Sequence, residues 1–153
     1  MTGTGAARRS NSARVLARTL ALHALYRWQL NSGPWQDLAS ESELAEDSPR
    51  ADREFFESLV RGACEQHEQL DAELSGWCDR PAKDMDTVEH AVLLIGLREL
   101  HSHPEVPFRV VISEAVGLAR RFGATDGHKF VNAVMDKAAF AKIVEQAKAS
   151  LGA

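Results

Sequence analysis

The amino-acid sequence predicts an all-α protein, and three observations carry that prediction. Apolar residues recur at three- and four-residue spacing over long stretches, no segment alternates long enough to make a strand, and proline and glycine fall where the stretches end. At 153 residues, with 44% hydrophobic and 26% charged side chains, the chain has the size and composition of one domain or two small subdomains with a real core.

The first helix is expected from about Ser12 to Leu30. Val15, Leu16, Leu20, Leu22, Leu25, Tyr26 and Leu30 occupy most of its circumference, which predicts burial on several sides, while Arg14, Arg18 and Gln29 share the remaining face. Asn31-Ser32-Gly33-Pro34 stops it. A short acidic helix follows from Trp35 to about Glu46. Ser48-Pro49 then opens a long helix, with Ser48 as cap, Pro49 in the first turn and Asp52 within it. Its apolar face runs from Phe55 through Leu59 and Leu70 to Leu74 and Trp77, and Arg80-Pro81 ends or bends it.

Asp86 is placed to cap the next helix, with Glu89 three residues on in a capping-box arrangement. Apolar residues cover more than one side of that helix (Val88, Val92, Ile95; Leu93, Leu97, Leu100), so it is expected to be central. His101-Ser102-His103-Pro104 breaks it. Pro107 starts another helix, with Val111, Ala115, Leu118 and Phe122 as its core stripe, and the last helix is expected from Asp126 toward Ala149.

Charge is distributed unevenly. The net charge is −4, yet residues 1–36 hold five Arg and no acid, residues 37–86 hold 15 acids against 5 bases, and residues 87–153 hold 8 bases against 7 acids. Such a total disfavours indiscriminate nucleic-acid binding, while its distribution allows a localised basic surface. Cys64 and Cys78 have neither metal-site spacing nor the density of a disulfide scaffold, so a reduced, cytoplasmic setting is expected. The longest apolar run, Ala91 to Leu97, is far short of the ~20 residues that cross a bilayer. No nucleophile motif, phosphate-binding glycine loop or metal-ligand pair at helical spacing is present; His101 and His103 are two apart before a proline. Neither an enzyme, a cofactor nor a metal is expected.

The most informative segment is Phe122-Gly123-Ala124-Thr125-Asp126-Gly127-His128-Lys129-Phe130-Val131-Asn132. Gly123 is free to close one helix in the left-handed conformation, Thr125 can cap the next, and Asp126 then sits where the helix dipole favours an anion. Lys129, Asn132 and Asp136 make a polar stripe beside Phe130. Single-stranded RNA is held by cations along its phosphates and by aromatic faces against its bases. Arg8, Arg9, Arg14 and Arg18 supply charge at the chain start, Lys129 with Phe130 at the joint, and Tyr26 is a candidate stacking ring. On spacing alone core packing is the favoured explanation of Tyr26 and Phe130, and the joint as a whole leaves both a ligand platform and a plain helical turn open.

That joint, preceded by Val106-Pro107-Phe108-Arg109 to Arg121 and followed by Ala133-Val134-Met135-Asp136-Lys137-Ala138-Ala139, closely resembles the C-terminal signature of the NusB family of bacterial transcription antitermination factors. Ala17-Arg18, Ala24-Leu25-Tyr26-x-Trp28-Gln29-Leu30 and Val88-Glu89-x-Ala91-Val92-Leu93-x-Ile95 extend the resemblance over about residues 14 to 142. The resemblance implies a NusB-like helical bundle of about six or seven helices in two packed subdomains, 13–84 and 85–153, behind a disordered basic tail at 1–12. It implies binding of boxA single-stranded RNA jointly with NusE, the small-subunit ribosomal protein, to seed an antitermination complex on RNA polymerase, including during rRNA transcription. Arg14, Tyr26, Asp126, Lys129 and Phe130 match positions linked to RNA contact or its modulation, and Glu89 matches an acid that pairs with NusE.

Several positions depart from the family pattern. His90 and Leu94 stand where basic residues are common, and Arg98 replaces an aromatic residue, which implies weak intrinsic RNA affinity and more reliance on the protein partner. A helical protein–protein adapter with little RNA affinity is the other reading, and a homodimer hiding the RNA face is compatible with both.

Overall fold

The computed structural model describes the backbone of residues 2–79 and 81–152, and the side chains of residues 11–79 and 81–152. Seven α-helices follow one another among these residues: α1 (Thr2–Leu30), α2 (Trp35–Ser42), α3 (Arg53–Glu65), α4 (His67–Ser75), α5 (Thr87–Ser102), α6 (Phe108–Phe122) and α7 (Gly127–Gly152). Two 3-10 turns, Ser48–Arg50 and Ala82–Asp84, lie between them, and no strand occurs among the described residues. The all-α expectation and the helix number both hold. Contacts divide the chain into two compact units, Met1–His67 and Glu68–Ala153.

In the first unit, α1 packs on α3 and α2. Ala17, Leu20, Ala21, Leu22, Ala24 and Leu25 are buried on α1, as are Phe55, Phe56, Leu59 and Val60 on α3. Burying each of these large side chains contributes about 1.5–3 kcal/mol, so this seam dominates the unit's stability. α1 is less enclosed than its sequence suggests: Val15, Tyr26 and Leu30 remain 39%, 40% and 66% exposed.

The long helix expected from Ser48 is interrupted twice. Ser48–Arg50 forms only a 3-10 turn, and α3 starts at Arg53 because Asp52 takes an extended conformation and accepts the Phe55 N–H at 3.1 Å. The Asp52 amide is itself held by the Ala13 carbonyl at 3.0 Å, which draws this cap out of the preceding turn and onto α1. A second break falls at Gln66, whose backbone (φ −110, ψ 15) leaves the helical region and separates α3 from α4.

In the second unit, α5 is the hub. Ala91 to Leu97 are all buried, and Asp86 caps the helix through hydrogen bonds from Val88 N and Glu89 N at 3.0 and 3.1 Å. Val111, Ala115 and Leu118 of α6 and Val131, Val134 and Met135 of α7 complete the core. Beyond His67, α4 belongs with this unit, although the sequence groups residues 13–84 together. His90 and His101 of α5 hold Asp71 and Glu73 of α4 at 2.5 and 3.0 Å, and Leu70 and Leu74 are buried. Leu94 is fully buried, so this position, read from the family pattern as a lost phosphate contact, is a core position here.

Candidate nucleic-acid interface

The candidate cations near the chain start have different environments. Arg8 and Arg9 lie outside the described side chains. Arg14 is half-buried, with its Nε 3.5 Å from Asp52 Oδ2 and its guanidinium 4.3 Å from the centre of the Phe55 ring. Arg18 is only 4% exposed and stacks on the same ring at 5.1 Å. Cation–ring contacts of this kind are worth about 0.5–2 kcal/mol. The Arg14–Arg18 face expected to be open is therefore covered by α3: Arg14 keeps a partly open edge, whereas Arg18 is a packed residue. Tyr26, by contrast, is exposed enough to stack on a base.

The α6–α7 joint differs from its sequence reading in one respect. Gly123 ends α6 in an extended conformation (φ −91, ψ −179), and the left-handed residue is Asp126, with φ 68. A β-carbon at Gly123 would approach the Ala119 carbonyl oxygen to 2.7 Å, so close approach explains the glycine. Aspartate is among the few residues that enter the left-handed region at modest cost. Thr125 makes no side-chain hydrogen bond among the described residues, and α7 begins at Gly127, with Lys129 N bonded to the Asp126 carbonyl at 3.0 Å.

This geometry sets Asp126 and Lys129 side by side at the surface. Their charged atoms are 3.3 Å apart, with side chains 69% and 72% exposed. Phe130 is half-buried one position on. The arrangement provides an accessible cation, an adjacent acid that moderates it, and a ring edge.

Glu89 lies behind the joint. Only 6% of it is exposed, and its carboxylate packs on Gly127, where a β-carbon would come within 2.8 Å of Glu89 Cδ. A carboxylate at the first turn of α7 is favoured by the positive end of the helix dipole. The acid expected to pair with a partner's cation is thus turned inward, where it fixes the start of α7. His90, its neighbour, is engaged by Asp71.

Sequence pattern alone does not single out Arg109 and Arg120. Both are exposed on α6, and they line an open groove of about 800 Å³ together with Lys129, Asn132 and Asp136 of α7. The available signal is their spacing of eleven residues, which returns to the same helix face after three turns. Among the described residues no group of three or more His, Cys, Asp or Glu side chains is arranged to hold a metal ion, and no helix is long and apolar enough to cross a membrane.

Comparison with known proteins agrees with this architecture. The NusB family model matches residues 15–140. The transcription antitermination protein NusB of Hahella chejuensis is 44% identical over 126 residues, covering 82% of this chain and 85% of that protein. The corresponding Paraburkholderia phymatum protein is 39% identical over 139 residues, covering 91% and 96%. Among solved structures, T. maritima NusB superposes with a TM-score of 0.74 at 25% identity, over 82% of this chain and 89% of that one. A crystal structure of antitermination factors NusB and NusE in complex with double-stranded RNA gives 0.68 at 25% identity, over 82% and 94%. With the helical order, the α6–α7 joint and these matches in agreement, the chain belongs to the NusB family.

Proposed function

We propose that this chain is a transcription antitermination factor that binds boxA-containing single-stranded RNA together with NusE and seeds an antitermination complex on RNA polymerase, including during rRNA transcription. The observation that carries this reading is the α6–α7 joint. It presents Lys129 to solvent beside Asp126 and Phe130, in a chain whose relatives include a NusB crystallised with NusE and RNA. Lys129 supplies a phosphate contact, Phe130 and Tyr26 supply ring faces, and Asp126 tempers the affinity. Arg14 contributes through its open edge, with Arg8 and Arg9 adding charge ahead of it. The work is done by binding, without catalysis or a cofactor, in the cytoplasm where transcription takes place.

Burial of Arg18 and Glu89 supports a positioning role for both, Arg18 holding α1 on α3 and Glu89 holding the start of α7. With those groups engaged internally, the chain's own RNA affinity is modest. RNA that touches both proteins then raises the affinity through effective concentration. Transcription in vitro through a terminator downstream of boxA, with RNA polymerase and NusE present, tests the reading. Adding the chain raises read-through on the boxA template and leaves a scrambled-boxA template unchanged. Equal read-through with and without the chain contradicts it.

A further inference from the structure

We infer that the groove between α6 and α7 is a second RNA-backbone track, in which Arg109 and Arg120 hold phosphates of the same strand that meets Lys129. The inference rests on the RNA-binding reading above and extends it to residues with no other assigned role. Arg109, Ser113 and Arg120 line the groove from α6, and Lys129, Asn132 and Asp136 line it from α7. Neither Arg109 nor Arg120 has an ion-pair partner among the described residues, in contrast to Arg14, Arg27, Arg53 and Arg61, which all face carboxylates. An exposed guanidinium free of a carboxylate keeps its donors for a planar, multi-oxygen anion such as phosphate.

The dimensions suit a strand. Arg109 and Arg120 are eleven residues apart on one helix face, so their backbones are separated by about 16 Å at 1.5 Å per residue. Phosphates of one strand rise about 3.4 Å apiece along its axis, so side chains this far apart reach two non-adjacent phosphates of the same strand. Between them the floor is apolar, from Ile112 and Val116, and offers contact to sugars and base faces. A β-carbon at Gly117 would meet nothing within 4 Å, so the groove is open at its middle. Charge decides the class of ligand: three cations and one acid, Asp136, give the lining a positive balance within a chain of net charge −4. Ser113 and Asn132 add neutral hydrogen-bonding groups, which position a backbone without reading its sequence.

The test measures binding of a fluorescent boxA RNA oligonucleotide to the full chain, with and without NusE, at several salt concentrations. Replacing both Arg109 and Arg120 by Ala lowers affinity by about tenfold or more and flattens the log–log salt slope by about 1.4, at 0.7 for each single-strand phosphate. The loss is equal for boxA and scrambled RNA, as backbone contacts require. Asp136→Asn tightens binding severalfold. Gly117→Leu fills the open middle, weakens RNA binding and leaves the melting temperature unchanged or higher, because Leu favours a helix more than Gly does. Lys129→Ala separates the groove from RNA binding at the α6–α7 joint. If Lys129→Ala weakens binding while the arginine and Gly117 variants bind like wild type, the groove is not a track and the RNA-binding reading stands. If the wild-type chain binds no RNA with or without NusE, both fall.

Discussion

Replacing Asp126 by Asn is expected to tighten RNA binding about three- to tenfold at moderate salt. The magnitude follows from two effects at the joint. The Asp126 carboxylate lies 3.3 Å from Lys129 Nζ, and both side chains are about 70% exposed. A pair this exposed is worth roughly 0–1 kcal/mol, so freeing Lys129 for a phosphate recovers at most that. The carboxylate also repels a phosphate bound by Lys129, by about 0.6 kcal/mol at ~7 Å in water, less once salt screens it. Together these reach at most about 1.6 kcal/mol, with a middle value near ~1 kcal/mol, or about fivefold. The substitution suits the backbone, because Asn tolerates the left-handed conformation that Asp126 adopts with φ 68. Fluorescence anisotropy with a boxA oligonucleotide measures the change, with circular dichroism confirming the helical content. Unchanged or weaker binding by a folded Asp126→Asn variant refutes the placement of RNA beside Lys129.

Three further outcomes follow from the packing. Gly127→Ala drives a methyl group into the Glu89 carboxylate and is expected to destabilise the protein by about 1–3 kcal/mol; thermal melts of the double variant with Glu89→Ala recover part of the loss, and strict additivity contradicts the contact. Asp52→Ala removes the α3 cap and the Arg14 partner together, which lowers stability by about 0.5–2 kcal/mol in urea unfolding. An effect within 0.3 kcal/mol means that the cap is not needed. The Cys64 thiol is pushed up to about 12 from 9.0, first by burial and second by the Glu65 charge. The thiolate is the reactive form, so iodoacetamide at pH 8 labels Cys64 far more slowly in the native protein than in urea. Because the neutral thiol is favoured on folding, this group costs no stability below pH 9 and lowers it progressively as pH rises from 9 toward 12. Equal labelling rates in the two states contradict the burial.

Helical order was legible in the sequence because local signals coincide with burial. Asp86 caps α5 as its spacing indicates, and the continuous apolar run from Ala91 to Leu97 marks the hub of the second unit. Competing local signals were harder to rank: Ser48 and Asp52 are both good caps, and a tertiary hydrogen bond to Ala13 selects Asp52. At the joint, glycine marked the left-handed residue in the wrong place, since Gly123 is required by close approach to Ala119 while Asp126 carries the positive φ. Arg18 and Glu89 read as surface charges because nothing within a helical turn covers them. Their cover comes from distant positions, Phe55 and Gly127, which periodicity does not reveal. Conversely, Arg109 and Arg120 come together with Lys129 only when α7 folds back on α6.

The most direct measurement of the account is a calorimetric cycle linking boxA RNA and NusE on this chain. Joint recognition requires the two ligands to strengthen each other by one common factor, since coupling between binding sites is reciprocal. The expected result is RNA affinity that rises at least tenfold on adding NusE, matched by an equal rise in NusE affinity on adding RNA, with Lys129→Ala lowering RNA binding in both arms. An RNA affinity indifferent to NusE would contradict the account and leave a protein–protein adapter in its place.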